Sequence, residues 1–318
     1  MGVLDVAARA ASVLESLSAL RRAARERRPP VAVLVNYTEF NARLAASLRP
    51  MGVRIVWYAA PQIWAWRPGR GRRLARLVDA MAVVLPFEEP LWRELGADAR
   101  YVGHPSLEDA GSPARPNARA RLRISGEATV VALMPGSRPH EVRRLLPPML
   151  DAASRLGARR IEARVLLTES LPASVRESAR RMAERAGIAA YDVAATEGAA
   201  PLLAAFDAAL CASGTASLEA AVANAPPVVT YRLDALSAVV ARALIRTPHV
   251  ALPNVLLGRR AFPELLQRDA RPEPMASALE RVLDRRDAAL ASCAAVRAVL
   301  GDVHEPSRRV AEMACAWI

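Results

Sequence analysis

The sequence has few cysteines and no long apolar run, and each shortage excludes a class of protein. Its three cysteines, Cys211, Cys293 and Cys315, include no CxxC pair, which excludes a disulfide framework and a common zinc site. Arginine or proline interrupts the longer apolar stretches, so the sequence predicts no transmembrane helix. Asp5 and Arg9 fall where a signal peptide would need its apolar core. We therefore expect a cytoplasmic protein.

Lysine is missing altogether, so all 44 basic residues are arginine, and the formal net charge is +12. Part of this arginine excess reflects the codon usage of a GC-rich genome. The sign of the charge still favours anionic partners, namely a nucleotide, a phospholipid or a phosphorylated lipid. Nucleic acid is not expected as a partner, because no helix-turn-helix, RNP or zinc-finger pattern gathers the scattered arginines.

The order of the apolar runs predicts an α/β protein with two Rossmann-like, doubly wound domains. A linker rich in proline and glycine at 108–120 separates a domain of residues 1–107 from one of residues 108–318, and we expect a ligand cleft between them. Residues 272–318 are predicted to be largely helical. Whether they pack back on the first domain, their own or a neighbour's, is left open, as is the oligomeric state. The expected strands are 31–35, 54–58, 81–85, 100–102, 129–134, 163–168, 190–194, 207–212 and 227–231.

Two short loops in the second domain have the composition of a phosphate site. They are Met134-Pro-Gly-Ser-Arg138 and Ser213-Gly-Thr-Ala-Ser-Leu-Glu219, and each follows an apolar run of strand length. A strand, a Gly/Ser/Thr turn and a helix start place free backbone N–H groups and the positive end of the helix dipole together, which suits an anion. Arg138 adds a forked cation, and Glu219 adds an acceptor for ribose hydroxyls. The alternative is an ordinary β–α turn with an exposed arginine, beside a plain helix cap.

Seven blocks of sequence occur in a fixed order along the chain. They are Tyr58-Ala-Ala-Pro-Gln-Ile-Trp-Ala-Trp-Arg67, Leu85-Pro-Phe-Glu88, Tyr101-Val-Gly-His-Pro105, Leu133-Met-Pro-Gly-Ser-Arg138, Ala212-Ser-Gly-Thr-Ala-Ser-Leu-Glu219, Tyr231-Arg232 and Leu252-Pro-Asn-Val-Leu256. Together they resemble the lipid-A-disaccharide synthase family of GT-B glycosyltransferases. The likeness runs from about residue 1 to the C-terminus, and the block ending at Arg67 is the most specific.

The resemblance implies an inverting hexosyltransferase of lipid A biosynthesis. Such enzymes join UDP-2,3-diacylglucosamine to 2,3-diacylglucosamine 1-phosphate (lipid X) and release lipid A disaccharide 1-phosphate and UDP. They work as peripheral proteins on the cytoplasmic face of the inner membrane. No cofactor is implied, since the UDP-sugar is the donor substrate. The donor contacts implied for this sequence lie in the C-terminal domain: Gly136, Ser137, Arg138, Ser213, Gly214, Thr215, Glu219 and Asn254.

The chain departs from the family at its start. Family members begin with a strand and a Gly-Glu-Ala-Ser-Gly-Asp loop, and nothing here matches either, so the first domain is expected to be incomplete. A wrongly chosen start codon is the interpretation we favour. One alternative is an inactive remnant that binds lipid or nucleotide. Another is a different GT-B enzyme, such as a UDP-N-acetylglucosamine epimerase, although the aromatic block counts against it.

The expected catalytic groups are Glu39 and Arg138. A family segment, Asp-Ala-Pro-Asp-Phe-Asn, falls on residues 36–41, where Asn36 cannot act as a base and Glu39 keeps a carboxylate. An inverting transfer needs one base beside the acceptor hydroxyl. The alternatives are that Glu39 is a first-turn residue of an exposed helix and that the base lies in the missing segment. Acceptor sugar or acyl chains are expected to contact Asn41, Gln62, Trp64, Trp66 and Arg67.

The sequence contains no Asp-x-Asp pair, which argues against the Mg²⁺-held diphosphate of the other large class of glycosyltransferases. The leaving UDP is expected to be stabilised by Arg138 and the two helix N-termini instead. We therefore expect a reaction that needs no metal.

A helix is predicted over residues 3–27, with an apolar stripe and a basic end. The helix either packs on the first domain or lies on an anionic bilayer. Its stripe is expected to contain Val3, Val6, Ala10, Val13, Leu14, Leu17 and Leu20, and its basic end Arg21, Arg22, Arg25, Arg27 and Arg28.

Overall fold

The computed structural model of the chain describes residues 3–108, 115–194, 199–233 and 247–318. The chain forms two compact units. The first consists of Met1–Pro105 together with Val303–Ile318, and the second of Ser106–Asp302. The boundary lies two residues before the expected one, and the last 16 residues of the chain, 303–318, belong to the first unit rather than the second.

The first unit is built on a four-stranded parallel sheet in the order β1-β2-β3-β4. Helices connect the strands, as parallel pairing requires. Its elements in chain order are α1 (Val3–Arg27), β1 (Val31–Val35), α2 (Thr38–Leu48), β2 (Arg54–Tyr58), α3 (Gly71–Ala75), β3 (Ala80–Val83), α4 (Glu88–Glu94) and β4 (Ala99–Tyr101). The helix Pro306–Cys315, close to the C-terminus, completes this unit.

Helices cover both faces of this sheet. Leu44 and Leu48 of α2 and Trp92 of α4 pack on one face around Trp57. Val310 and Ala314 of the C-terminal helix pack on the other, against Val56, Ala82 and Val102. Burying apolar side chains on both faces is what stabilises a parallel sheet, because its strands have no solvent-facing side.

Helix α1 packs on the first unit through a narrower face than the sequence predicts. Leu17 and Ala24 are buried and join the core around α2. Leu14 and Leu20, which belong to the predicted stripe, are 54% and 45% exposed. The side chains of Val3, Val6 and Ala10 lie outside the described part. The helix therefore docks on its own unit and still presents two leucines to solvent.

The second unit contains a six-stranded parallel sheet in the order β10-β9-β8-β5-β6-β7. Helices again connect the strands and lie on both faces. Its elements are α5 (Arg115–Arg121), β5 (Val130–Met134), α6 (Pro139–Leu156), β6 (Glu162–Thr168), α7 (Ala173–Arg185), β7 (Ala189–Val193), α8 (Ala200–Leu203), β8 (Ala208–Ala212), α9 (Thr215–Val222), β9 (Pro227–Tyr231), α10 (Leu252–Leu257), β10 (Glu264–Leu266), α11 (Pro272–Asp284) and α12 (Arg286–Leu300). The C-terminal helix is α13 (Pro306–Cys315). Two parallel, helix-covered sheets confirm the α/β prediction.

Residues 115–121 correct one sequence prediction, because they form α5 inside the expected linker 108–120. Buried Arg119 donates to the carbonyl oxygens of Ala205 and Ala128, and Arg115 pairs with the buried Asp207. Charged anchors of this kind fix a helix whose own sequence is rich in proline and arginine. Residues 109–114 of the linker lie outside the described part. Within the described residues, no helix combines the length and the apolar character needed to cross a membrane.

Candidate active site

The two predicted phosphate loops begin side by side in the second unit. They follow β5 and β8, which are paired in parallel with Met134 opposite Cys211. Strands β6 and β7 lie on one side of this pair, and β9 and β10 on the other. The strand order therefore reverses between β5 and β8. In open α/β sheets, ligands bind outside the carboxyl ends of the strands at such a switch point.

The loop after β5 is wrapped around a carboxylate of the chain itself. Glu141, in the first turn of α6, is buried, and its Oε2 accepts the backbone N–H groups of Ser137 at 3.1 Å and Arg138 at 3.2 Å. Its Oε1 accepts from the Arg138 guanidinium at 2.8 Å and from the hydroxyl of Tyr231 at 3.2 Å. Two of the backbone donors expected to hold a phosphate here, the N–H groups of Ser137 and Arg138, are thus already occupied, which corrects the prediction for these two groups.

Gly136 is required by this arrangement. Its φ is +110°, and a Cβ added there would lie 2.8 Å from Cβ of Glu141. No other residue type fits between the loop and the carboxylate, since both the space and the backbone conformation exclude a side chain. The side chain of Arg138 remains 64% exposed, and its hydrogen bond to Glu141 raises the pKa of the guanidinium above its ordinary value. This loop therefore offers a fixed cation and the exposed hydroxyl of Ser137.

The loop after β8 is the open one of the two. Gly214 has a φ of +147°, and no atom lies within 4 Å of a Cβ added there. Ser213 is tied down by its hydroxyl to the carbonyl of Val250 at 3.0 Å. The backbone N–H groups of Thr215 and Ala216 donate to no acceptor within the described residues. Free donors at the N-terminus of α9 match the expectation for an anion site. Glu219, expected at the ribose, is half-buried one turn further on.

Asn254 has a different role from the one implied for it. Its side chain is fully buried in α10 and makes four hydrogen bonds: its amide nitrogen donates to the carbonyl of Phe262 and to Glu264, and its oxygen accepts from the backbone N–H groups of Ala261 and Phe262. An asparagine side chain has no further hydrogen-bonding capacity than this. Asn254 therefore organises the turn before β10, and we withdraw it as a direct nucleotide contact.

The expected base lies at the start of α2 in the first unit. The side chain of Glu39 is 72% exposed and pairs with Arg70. Asn41, expected as an acceptor contact, is buried, and its amide donates to the carbonyls of Val35 and Asn36 at 3.0 and 2.7 Å. It thus holds the tight turn between β1 and α2. Glu39 stays available to a substrate, whereas Asn41 supports the turn that displays it.

The aromatic block is anchored by a buried acid. Nε1 of Trp64 donates to Oε1 of Glu88 at 2.8 Å, and the backbone N–H groups of Val84 and Leu85 donate to Oε2. Glu88 has no solvent exposure, and burial raises its pKa to about 7 against these hydrogen bonds. Trp64 also meets the ring of Phe87 edge-on, with centroids 5.2 Å apart. The indole of Trp64 is therefore held in one orientation.

The outer part of the same block is presented to solvent. Trp66 is 40% exposed, and the guanidinium of Arg67 lies 5.8 Å from its ring centroid, within cation–π range. Gln62 is exposed as well. Exposed tryptophan, arginine and glutamine beside a rigidly held Trp64 suit a surface that recognises a sugar or an acyl chain.

His104 in the first unit and Cys211 in the second do not point to nucleophilic or metal chemistry. His104 is buried, and burial lowers its pKa to about 4. Burial also raises the pKa of the Cys211 thiol above its ordinary value, and the charge of Glu219 adds to this. Among the residues that the structure describes, no three His, Cys, Asp or Glu side chains are grouped as metal ligands would be. Arginine, glutamate and backbone N–H groups are thus the chemical resources of the site.

Comparison with known sequences decides the family. A profile of the family described as lipid-A-disaccharide synthetase matches residues 1–316. The lipid-A-disaccharide synthase of Anaeromyxobacter dehalogenans (strain 2CP-C) is 44% identical over 315 residues, which cover 98% of this chain and 82% of the relative. The chain belongs to the lipid-A-disaccharide synthetase family. The resemblance found in the sequence is thereby confirmed.

Solved structures with little sequence identity show the fold that this chain adopts. The Staphylococcus aureus MnaA–UDP co-structure aligns with a TM-score of 0.68 over 95% of this chain and 80% of that chain, at 11% identity. MurG from Acinetobacter baumannii aligns with a TM-score of 0.59 over 96% and 78%, at 14% identity. Likenesses at these identities show the fold alone, and it is the expected GT-B glycosyltransferase fold.

Three residues of the synthetase site were missed as functional candidates, although each lies in or beside a quoted block. Glu141 follows Arg138 by three residues, which is the spacing at which a first-turn glutamate accepts the backbone N–H before the helix. That spacing could have indicated its role. Glu88 has the same spacing, since it accepts the backbone N–H of Leu85 three residues before it, so that signal was open to it as well. Tyr231 carries no comparable local signal, because its partner is brought to it by the sheet.

Proposed function

We propose that this chain is an inverting glycosyltransferase that joins UDP-2,3-diacylglucosamine to 2,3-diacylglucosamine 1-phosphate. The products are lipid A disaccharide 1-phosphate and UDP. The observation that carries this proposal is the family match over residues 1–316. The geometry supports it, because the two loops expected to receive the nucleotide start at the switch point of the second sheet.

In the donor site, the diphosphate is received by the guanidinium of Arg138, the hydroxyl of Ser137 and the free backbone N–H groups at the start of α9. Gly214 allows the phosphates to approach the backbone closely, and Glu219 accepts from the ribose hydroxyls. These groups stabilise the charge that develops on UDP as its bond to the sugar breaks. Because the guanidinium and the hydrogen-bond donors are held in place before the reaction, little reorganisation of the protein is needed in the transition state.

In the acceptor site, Glu39 acts as the general base. It removes the proton of the attacking hydroxyl while that oxygen forms its bond to the anomeric carbon and the bond to the diphosphate breaks. One displacement of this kind inverts the anomeric centre. The exposed side chains of the aromatic block, Gln62, Trp66 and Arg67, with Trp64 behind them, contact the acceptor.

The reaction needs no metal ion and no cofactor in this proposal. Arg138 and the N-terminus of α9 supply the positive charge that a bound Mg²⁺ supplies in other transferases. Full activity is expected in the presence of EDTA. A loss of activity that Mg²⁺ restores would contradict this assignment.

The enzyme works on the cytoplasmic face of the inner membrane as a peripheral protein in this proposal. Helix α1 presents Leu14 and Leu20 beside a basic end that contains exposed Arg22, Arg25 and Arg27. Basic residues near an anionic bilayer contribute about 1 kcal/mol each. We expect flotation with vesicles that contain anionic lipid, weakened by high salt and by replacing the three arginines with glutamine. Flotation that is equal with neutral vesicles would contradict the electrostatic part of this proposal.

Transfer from UDP-2,3-diacylglucosamine to lipid X, with product analysis, tests the proposed function. Arg138→Ala is expected to lower kcat/KM by about a hundredfold or more, the range seen when a preorganised transition-state donor is removed. Glu39→Gln is expected to lower kcat by about a hundredfold, the typical contribution of a general base. Arg143→Ala, an exposed arginine one turn further along α6, and Glu94→Gln, an exposed acid of α4, are the matched controls.

Two results would contradict the proposal. The first is wild-type protein that gives no disaccharide, or that only converts the sugar of the donor into an epimer. The second is full transfer activity in Arg138→Ala, which would remove the arginine from the donor site.

A further inference from the structure

The buried carboxylate of Glu141 joins three parts of the second unit. It accepts two backbone N–H groups from the loop after β5, the guanidinium of Arg138, and the hydroxyl of Tyr231 at the end of β9. Strand β8 lies between β5 and β9 in the sheet. The carboxylate therefore links the two strands that flank β8, whose loop carries Gly214 and leads to the backbone N–H groups at the start of α9.

The loop after β8 is also bonded to β9, the strand that carries Tyr231. The backbone N–H of Ser213 donates to the carbonyl of Thr230 at 3.1 Å, directly before Tyr231. Tyr231 thus has its backbone beside the β8 loop and its hydroxyl on Glu141. These bonds position both loops, the one after β5 and the one after β8, relative to the carboxylate of Glu141.

We propose that Glu141 and Tyr231 are positioning residues of the donor-phosphate site. The buried carboxylate of Glu141 holds Arg138 and the loop after β5, and Tyr231 fixes that carboxylate relative to the loop after β8. The diphosphate is received by the guanidinium of Arg138 and by the N-terminus of α9, and not by the backbone N–H groups of Ser137 and Arg138, which the carboxylate holds. This inference rests on the proposed function, since it assigns how that UDP-sugar site is held.

The carboxylate does not make way for the ligand. Glu141 is 4% exposed, and displacing it would leave a buried charge without its four hydrogen bonds. The loop at Gly136 also closes directly over it and leaves no room for a phosphate in the same place. The positive end of the α6 dipole stabilises the carboxylate further.

Binding of UDP by titration calorimetry, together with the KM of the donor, tests this inference. Glu141→Gln keeps the size of the side chain but replaces one carboxylate oxygen by an NH₂ group. This group cannot accept a hydrogen bond, so two of the four donors around the side chain lose their acceptor. We expect the substitution to weaken UDP binding about tenfold, the effect of losing about 1.4 kcal/mol. Tyr231→Phe removes one of the four hydrogen bonds to the carboxylate and is expected to weaken binding about threefold, less than Glu141→Gln, because the other three still hold Glu141 in place. The double variant is expected to bind UDP no more weakly than Glu141→Gln, because both act through one carboxylate.

The matched controls make the same chemical changes elsewhere in the unit. Glu273→Gln alters an exposed first-turn glutamate of α11 that pairs with Arg155, and Tyr191→Phe removes a hydroxyl that donates to the carbonyl of Leu122. Both are expected to bind UDP as the wild type does. Thermal melting of each ligand-free variant sets a temperature at which all of them are folded, and affinities are compared there.

The outcomes separate this inference from the proposed function. Wild-type protein that does not bind UDP removes the proposed function, and this inference with it. Wild-type binding that Arg138→Ala weakens, with Glu141→Gln and Tyr231→Phe unchanged, overturns only the positioning role. Tighter binding by Glu141→Gln also overturns it, because the carboxylate then competes with the phosphates instead of holding their partners. A lowered melting temperature with unchanged UDP affinity would assign Glu141 to folding alone.

Discussion

Replacing Glu88 by glutamine is expected to change how the stability of the first unit depends on pH. The pKa of Glu88 is raised from 4.5 to about 7 by burial, although Trp64 and two backbone N–H groups donate to the carboxylate. Between these values the folded protein keeps a proton that the unfolded chain has released. The stability linked to this proton is therefore complete below about pH 4.5 and is lost as the pH rises through 7.

The size of the effect follows from the same two pKa values. A rise from 4.5 to about 7 corresponds to about 3 kcal/mol, most of which falls between pH 5 and pH 8. Glutamine does not titrate, so its contribution is constant. The difference in unfolding free energy between Glu88→Gln and the wild type should shift in favour of glutamine by about 2 kcal/mol or more over this range. The shift does not depend on whether the substitution itself stabilises or destabilises the protein.

Tryptophan fluorescence during urea unfolding measures this difference directly. All five tryptophans belong to the first unit, so the signal reports on that unit alone. They are Trp57, Trp64, Trp66, Trp92 and Trp317. Glu94→Gln, an exposed position on the same helix as Glu88, is the matched control for the pH slope. A difference that stays constant from pH 5 to pH 8, or that shifts against glutamine, would refute the burial argument for Glu88.

Four further outcomes are expected. Gly136→Ala should abolish UDP binding and lower the melting temperature of the second unit, because the new methyl group collides with Glu141; unchanged calorimetric binding would contradict this. Asn254→Ala should destabilise the second unit by about 3 kcal/mol, measured by circular dichroism, because it leaves buried polar groups unpaired. Burial lowers the pKa of His104 to about 4, so the unfolding free energy of the first unit should fall as the pH drops from 6.5 toward 4. His104→Gln should remove this fall, and a variant that loses as much stability in acid as the wild type, measured by tryptophan fluorescence, would argue against it. EDTA at millimolar concentration should leave the rate of transfer unchanged in a radiolabelled-donor assay.

Most of the fold was predictable because its strands are short apolar runs between turn residues. β1, β2, β8 and β9 lie within one residue of their predicted ranges. Strand β10 was missed, since Glu264–Leu266 is only three residues long and begins with an acid. Glu264 is buried because Ala251 and Asn254, which are distant from β10 in sequence, donate to its carboxylate. Helix α5 was missed because its composition is that of a linker and its anchors, such as Asp207, are distant in sequence.

The site was predictable to the level of loops but not of individual contacts. The glycine and serine pattern located the two turns after β5 and β8, and the sheet brings them together. The pattern did not show that Glu141 occupies the first turn's donors, because that depends on how closely the loop folds over the side chain. It also did not show that the amide of Asn41 donates to two backbone carbonyls and that the side chain of Asn254 is fully bonded within its turn, since an amide that caps a turn has the same local sequence as one that binds a ligand.

The return of the chain to the first unit at residue 303 imposes a sequence of events during synthesis. Residues 106–302 are contiguous, so the second unit is free to close its core while the ribosome is still translating the last helix. The side chains of Val56, Ala82 and Val102 stay uncovered until Val310 and Ala314 have been synthesised. A chain cut before residue 306 would therefore lack the side chains that cover this apolar face of the first unit.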